Sequence, residues 1–292
     1  MAAIIAISIF GPHFIASLSD RPNAVSVTTP ISNTTTSVPR ATTADRQHAQ
    51  LIQEVTYIID HRQGNIEVAV QDLTSGVTTT FGAENPQDEA SVVKVNILAA
   101  LLSPVPQISS LSAQARILAP EMIEASNNDA ATSLWNSVGG TSGITSFDSR
   151  IGLTATTPSA CVQCAGFPWP GWGLTTTTPI DEIKLLKAAL VDDTYLSSQD
   201  RTYELQLMES VTPSERWGIS NGVVDSAAVA LKNGWLPLNS AGTDWQINSV
   251  GWVRGDGRDY LIAMFSTGNP SEDYGIQTLN SISLAIWNHL DN

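Results

Sequence analysis

Residues 90–102, ASVVKVNILAALL, form an apolar segment that contains a single charged side chain, Lys94. The Val, Ile, Leu and Ala content of the segment is typical of a helix buried in a protein core. Lysine is seldom buried without a partner, so Lys94 needs a polar neighbour there. Ser91 lies three residues earlier, and side chains three apart share one face of a helix. The segment therefore predicts a buried helix whose first turn presents a serine and a lysine to one polar space.

A serine and a lysine in this arrangement are suited to act as nucleophile and base. The neutral lysine amine can take the proton of the serine hydroxyl when burial and a second cation lower the pKa of the amine. The helix N-terminus also favours the oxyanion that forms when a carbonyl group is attacked. Taken alone, one S-x-x-K pattern is explained as well by an amphipathic helix whose lysine extends to solvent.

Two further motifs follow in the chain. SNN at 126–128 precedes an apolar helix, where a helix N-cap is the simpler explanation. KNG at 232–234 falls on a predicted strand, where Asn-Gly by itself indicates a turn. Only four lysines occur in the sequence, and two of them, Lys94 and Lys232, lie in the three motifs. Three motifs in this order, each on a suitable element, indicate one shared cause.

The order S-x-x-K, S-x-N and K-x-G resembles that of the class A β-lactamase-like serine hydrolases, over roughly residues 46–292. The resemblance implies that Ser91 is the acylated nucleophile and Lys94 its base. It also implies that Ser126 passes a proton to the leaving nitrogen of the substrate. Lys232 is then expected to orient Ser126 and to attract a substrate carboxylate.

The same resemblance implies a set of binding residues. Asn128 is expected to hold the substrate amide, and Asn233, Gly234 and Trp235 to line the binding site. The backbone N–H groups of Ser91 and Trp235 are expected to form the oxyanion hole. The expected substrate is a small β-lactam or a peptide amide, and no metal or cofactor is implied. Four tryptophans near the motifs are candidates for an aromatic wall or for core packing: Trp135, Trp169, Trp172 and Trp235.

The chain departs from the family pattern at three places. Asn127 replaces the Asp of S-D-N, which removes a negative charge that braces the cleft. Asn233 replaces the Thr of K-T-G, which removes a hydroxyl that can bind a β-lactam carboxylate. Class A enzymes also carry a glutamate before a Thr-Thr-Pro helix start, where it activates the water that hydrolyses the acyl-enzyme. Residues 151–178 contain no Asp or Glu, so we expect acylation with weak or no turnover of ordinary penicillins.

Strand patterns occur at both ends of the chain and helix patterns between them. This arrangement predicts an α+β domain, with an antiparallel sheet built from both chain ends and flanked by helices. An all-helical subdomain is expected as an insertion over roughly residues 104–215. The predicted helices lie over 46–63, 110–150, 179–192, 197–211 and 271–290, and the strands over 65–84 and 228–268.

The N-terminal part has a different composition. Residues 1–19 resemble the apolar part of a secretory signal without its usual positive flank, and are too short for a comfortable membrane span. Residues 20–45 are rich in Ser, Thr and Pro, which predicts a disordered linker before the hydrolase domain at 46–292. We therefore expect a secreted or extracytoplasmic protein, with N-terminal anchoring left open. In that environment Cys161 and Cys164 favour a short-loop disulfide over a redox pair or a zinc site.

The net charge of -14 and a pI near 4.5 limit the class of partner. An acidic chain lacks the basic patch that nucleic acid or an anionic membrane surface requires. We therefore expect no nucleic-acid partner. Since the N-terminal apolar run is too short for a span, we also expect no stable membrane span in the mature chain.

Alternative functions follow from other residues. GISNG at 218–222 is a formal G-x-S-x-G motif around Ser220, but its triad would need His289, and a parallel βαβ pattern is missing. A D-Ala-D-Ala carboxypeptidase or other amidase would use the same four side chains as a β-lactamase. A non-catalytic module that binds cell wall or a partner would explain the missing glutamate. Arg254 and Arg258 are candidates for a carboxylate site or for a solvated turn.

Overall fold

The computed structural model describes residues 42–103, 111–162, 164 and 171–290. The signal-like segment and most of the predicted linker lie outside the described residues. Trp169 also lies outside them.

An antiparallel sheet of five strands forms the centre of the molecule, in the order β2-β1-β7-β6-β5. β1 pairs with both β2 and β7, so the two ends of the chain meet in one sheet and the fold prediction is confirmed. A separate two-stranded sheet joins β3 and β4. The strands are β1 (Asn65–Asp72), β2 (Thr78–Phe81), β3 (Gln87–Asp88), β4 (Thr176–Thr177), β5 (Ala228–Pro237), β6 (Trp245–Gly255) and β7 (Arg258–Asn269).

Helices cover both faces of the sheet, and most of them lie where the hydrophobic periodicity predicts. In the described part they are α1 (Thr43–Asp60), α2 (Val93–Leu102), α3 (Ala113–Glu124), α4 (Asn128–Val138), α5 (Gly140–Ile151), α6 (Pro179–Leu186), α7 (Ser198–Glu209) and α8 (Glu272–His289). None of the helices in that part is both long and apolar enough for a membrane span.

Local capping sets two of the helix boundaries. α1 begins at Thr43, within the last residues of the predicted linker, because Thr42 and Asp45 form a reciprocal capping box. α6 begins as expected from its sequence, with Thr178 accepting a hydrogen bond from Asp181 N and Pro179 in the first turn.

Two hydrophobic cores lie on opposite faces of the sheet. One packs α1 and α8 against the side chains of one strand face, including Val68 and Val70. The other packs the middle helices against the opposite face, which includes Ala69 because successive strand residues point to opposite sides. α2 runs through the second core and is buried over almost its whole length. A side chain on α2 therefore reaches polar surroundings only where the protein builds a cleft.

Candidate active site

Ser91 lies in a short 3-10 turn, Ala90–Val92, that leads directly into α2. The α-helix itself begins at Val93, slightly later than the sequence pattern suggests. Ala90 has a φ of 50°, a left-handed backbone that non-glycine residues rarely adopt. Such backbone strain is tolerated where surrounding structure fixes it, and it is frequent at functional sites. The turn presents the partly exposed Ser91 to a cleft.

Lys94 is fully buried on α2 and contacts the SNN motif. Its Nζ lies 2.6 Å from the carbonyl oxygen of Ser126, 3.0 Å from Ser126 Oγ and 2.8 Å from Asn128 Oδ1. Burial lowers the pKa of Lys94 well below its usual value, and the charge of Lys232 lowers it further. The site therefore favours the neutral amine, which is the form that can accept a proton.

Ser126 lies between the two lysines, at the junction of α3 and α4. Its backbone is left-handed, with a φ of 53°. Ser126 Oγ is 3.0 Å from the Nζ of Lys94 and 2.9 Å from the Nζ of Lys232. Asn127 caps α4 through a bond from Ala130 N to its Oδ1, so this residue has a structural role in the motif. The serine hydroxyl is thus placed to pass a proton between neighbouring groups.

Lys232 is fully buried on β5 and completes the polar centre. Its Nζ donates to Ser126 Oγ at 2.9 Å and to the carbonyl of Asn233 at 3.1 Å. Glu215 Oε2 lies 3.6 Å away as an ion-pair partner. Burial lowers the pKa of Lys232 to about 8, and Glu215 opposes that decrease. Lys232 is therefore mainly protonated at pH 7.

Gly234 brings β5 close to the turn Ala90–Val92, which carries Ser91. A Cβ at this position would lie 2.8 Å from the carbonyl oxygen of Glu89 and 2.8 Å from Ser91 N. Both are backbone atoms that cannot rotate away, so only glycine allows this approach. Trp235 follows on β5 and lines the cleft.

The side chain of Asn233 has different partners from those the resemblance implies. It is fully buried, and its Nδ2 donates to the carbonyls of Glu215 at 2.7 Å and Trp217 at 3.1 Å. Among the described residues, Asn233 is not part of the cleft lining. The asparagine therefore holds the backbone of a neighbouring loop.

The cleft has a volume of about 480 Å³ and a largely apolar wall. Its described lining consists of Ala90, Ser91, Ala125, Ser126, Asn128, Gly171, Trp172, Gly173, Leu174, Glu215, Trp235, Leu236, Pro237 and Trp245. Trp135, another candidate for an aromatic wall, is instead buried in the helical core.

Trp172 lies in the loop after α5, where that loop meets Lys94 of α2 and Thr132 of α4. It belongs to a 3-10 turn, Gly171–Leu174. The Nζ of Lys94 is 5.1 Å from its ring centroid, and its Nε1 donates to Thr132 Oγ1 at 3.1 Å. A disulfide between Cys161 and Cys164, in agreement with the expectation, packs against Gly171 at the start of the turn. An indole, rather than a carboxylate, therefore faces Lys94 from this loop.

Asp148 and Asp181, the acids nearest to that loop in sequence, do not reach the cleft. Asp148 is buried and accepts a hydrogen bond from Asn96 Nδ2 at 2.8 Å. Asp181 binds the backbone of Ala155 at 2.6 Å and pairs with Lys184 at 2.7 Å. Each of these two side chains therefore has structural partners among the helices and their loops.

Glu215 belongs to the candidate site, although no sequence motif points to it. Within the described lining it is the only acidic side chain. It lies in the segment TPSERW, which has a polar, turn-like sequence and no motif. Its position beside Lys232 depends on a tertiary contact, so no local pattern indicated it.

The residues of the alternative functional hypotheses have surroundings that do not match the predicted sites. Ser220 ends a 3-10 turn and is followed by irregular chain, without the strand-to-helix elbow that a G-x-S-x-G nucleophile needs. His289 pairs with Glu54 at 2.6 Å. Arg254 pairs with Glu209, and Arg258 donates to the carbonyl of Trp287 at 2.8 Å. Within the described residues, no group of three or more His, Cys, Asp or Glu is arranged to hold a metal ion.

Comparison with known proteins connects this geometry to a family. The model of the beta-lactamase enzyme family matches residues 106–290, a range that starts after the S-x-x-K motif. No curated protein matches the chain.

Solved structures with the same fold include several β-lactamases. The TLA-3 extended-spectrum β-lactamase has a TM-score of 0.71 and 18% identity, covering 83% of this chain and 98% of that one. A class A β-lactamase from Bacteroides cellulosilyticus has a TM-score of 0.70 and 17% identity, covering 84% and 98%. A β-lactamase from Chitinophaga pinensis has a TM-score of 0.70 and 21% identity, covering 82% and 98%.

Proposed function

Because the chain belongs to the β-lactamase enzyme family, we propose that it is a serine hydrolase that acts through a Ser91 acyl-enzyme on an amide or β-lactam-type substrate. The observation that carries the proposal is the polar centre beside Ser91. There, Ser126 Oγ lies within hydrogen-bond distance of both Lys94 and Lys232. A cleft of about 480 Å³ gives a small substrate access to Ser91.

In the proposed acylation, Ser91 Oγ attacks the carbonyl carbon of the substrate and its proton passes to the neutral Lys94. Ser126 then gives its hydroxyl proton to the leaving nitrogen as the C–N bond breaks. Lys94 returns a proton to Ser126 along their 3.0 Å contact. The proton count is thereby balanced, and the positive charge of Lys232 stabilises the transfer.

The backbone supplies the proposed oxyanion hole. The N–H groups of Ser91 and Trp235 belong to the 3-10 turn and to β5, which approach each other at Gly234. Donors that are fixed before the reaction stabilise developing charge without a reorganisation cost. The close approach at Gly234 therefore supports a role in acyl transfer.

For hydrolysis of the acyl-enzyme, the described cleft has no carboxylate beside Lys94 that could act as the base for water. Trp172 faces Lys94 from the loop, and Glu215 lies on the Lys232 side of the centre. Deacylation would then depend on Lys94 or Ser126 as the base for water. We therefore expect weak or no turnover of ordinary penicillins.

The test is the intact mass of the protein after mixing with benzylpenicillin, followed from seconds to hours. We expect a slowly lost adduct in the wild-type protein and in Ser220→Ala, and none in Ser91→Ala. A short-lived adduct with rapid product release would contradict slow turnover. An adduct that survives in Ser91→Ala would contradict the assigned nucleophile.

The same experiment separates the alternative functions. A carboxypeptidase or other amidase would release product from a peptide amide while binding penicillin as an inhibitor. A non-catalytic module would form no adduct with any acyl donor. The intact set Ser91, Lys94, Ser126 and Lys232 supports the enzyme over the module.

A further inference from the structure

We infer that Glu215 sets the charge preference of the cleft: its carboxylate is the counter-ion of Lys232, so the cleft binds acyl donors that are neutral at this end more tightly than anionic ones. The inference rests on the proposed function and deepens it, because it names the substrate class of the same site. It also makes Glu215 a specificity-determining residue.

The first argument is the donor count at Lys232. A lysine ammonium has three N–H donors. Ser126 Oγ at 2.9 Å and the carbonyl of Asn233 at 3.1 Å take two of them. The Glu215 carboxylate pairs with the same ammonium at 3.6 Å. Since Lys232 is fully buried, a substrate carboxylate would have to displace Glu215 to reach it.

The second argument is that Glu215 is held in place. Its backbone N–H donates to the carbonyl of Thr212 at 2.9 Å within the turn Pro213–Glu215. Its own carbonyl accepts from the buried Asn233 at 2.7 Å. The asparagine that replaces threonine in the K-x-G motif therefore fixes the loop that carries the acid. Only 16% of the Glu215 side chain remains exposed, and that side chain lines the cleft.

The third argument is the charge of the surroundings. The described cleft lining contains no lysine or arginine, and its walls include Trp172, Trp235 and Trp245. Arg216, next to Glu215, donates to the carbonyls of Glu209 and Val229. A substrate anion would thus meet a carboxylate and apolar walls, and like charges at close range disfavour binding. An uncharged acyl donor with an apolar body meets no such penalty.

The test compares benzylpenicillin with its methyl ester, which has the same framework without the negative charge. Both ligands are titrated against Ser91→Ala, so that binding is measured without acylation, and the cleft tryptophans report occupancy by fluorescence. We expect the ester to bind about tenfold more tightly than the acid. Tighter binding of the acid, equal binding of the two ligands, or no binding of the ester would overturn the inference.

Glu215→Gln in the same background tests the residue itself. We expect the preference for the ester to fall to about twofold or less, because the neutral amide frees Lys232 for the acid. Glu209→Gln is the matched control, since Glu209 also pairs with a cation, Arg254, but does not line the described cleft. An unchanged preference in Glu215→Gln, or an equal loss in both variants, would reject the role of Glu215.

A parallel mass measurement with intact Ser91 separates this inference from the proposed function. An ester preference without any Ser91 adduct, from either ligand, would reject the hydrolase and retain the charge selection. A Ser91 adduct without an ester preference would retain the hydrolase and reject the charge selection.

Discussion

At the scale of single residues, the pKa values of the two buried lysines of the site are lowered by different surroundings. Burial and the charge of Lys232 lower the pKa of Lys94. Burial lowers the pKa of Lys232 only to about 8, because the negative charge of Glu215 opposes the decrease. Groups whose environments move their pKa values apart are suited to separate acid and base roles. Lys94 is thereby suited as the base and Lys232 as the fixed positive charge.

These pKa directions predict the pH dependence of acylation. The rate should increase as pH rises through the lowered pKa of Lys94, since only the neutral amine takes the proton of Ser91. It should decrease above pH 8, where Lys232 loses its proton. The measurement is the burst of p-nitrophenolate from p-nitrophenyl acetate, an uncharged donor, between pH 5 and pH 10.

Glu215→Gln should move the alkaline decrease to lower pH. The carboxylate raises the pKa of Lys232, and the amide does not. Glu209→Gln should leave the profile unchanged, because Glu209 pairs with Arg254 instead. An alkaline decrease at the same pH in both variants would contradict the assignment of that limb to Lys232.

At the scale of elements, the site depends on the contact between β5 and the turn Ala90–Val92. Gly234→Ala should push these elements apart, because the new Cβ meets backbone atoms at 2.8 Å. We expect a reduction of Ser91 acylation of about 100-fold, as the oxyanion donors move, and a loss of stability of about 1–3 kcal/mol. Acylation kinetics and thermal unfolding measure the two effects.

Gly76→Ala is the control for stability alone. Gly76 lies in the turn between β1 and β2, with a φ of 75° and open space around the added Cβ. It should lower stability through its left-handed backbone while the folded protein acylates at the wild-type rate. Wild-type acylation in a folded Gly234→Ala protein would show that the close approach is not needed.

Most elements could be predicted from the sequence because their signals are local. The period of apolar residues placed α1, and a turn signal at Thr74-Ser75-Gly76 separated β1 from β2. The three motifs likewise indicated the polar centre. The surroundings of that centre could not be predicted, because Trp172 meets Lys94 and Asn233 meets the loop of Glu215 only through tertiary contacts.

At the scale of the whole molecule, several carboxyl groups are buried in the core of the fold. Burial raises the pKa of Glu182 to about 8 and that of Asp148 to about 6, and raises that of Glu89 well above its usual value. Burial in the folded core therefore favours the protonated, neutral forms of these carboxyl groups. A raised pKa contributes stability below the ordinary carboxyl pKa, and that contribution is lost as pH rises through the value in the folded protein.

Glu182→Gln should therefore gain stability relative to wild type as pH rises from 5 to 9, since the amide never ionises. We expect the difference in Tm to grow by ~5 °C across that range. The measurement compares the Tm of the variant with that of wild type at each pH. This is needed because the lowered pKa of Lys94 makes the stability of both proteins increase with pH, which opposes the effect of Glu182.

Glu121→Gln, an exposed change of the same kind on α3, is the control. Its difference in Tm from wild type should stay constant between pH 5 and 9. A constant difference for Glu182→Gln as well would contradict a buried neutral acid at Glu182.

The arrangement of the sheet has a consequence for biosynthesis. β1 finds its partner β7 only after most of the chain has been made, and β5 is joined to β1 through β6 and β7. Pairings between distant segments form slowly, since a long loop must close before the contacts stabilise it. The strand that carries Lys232 therefore takes its place against the turn of Ser91 late. A nascent chain would hold Ser91 without Lys232, and the proposed acylation could begin only after the last strands have left the ribosome.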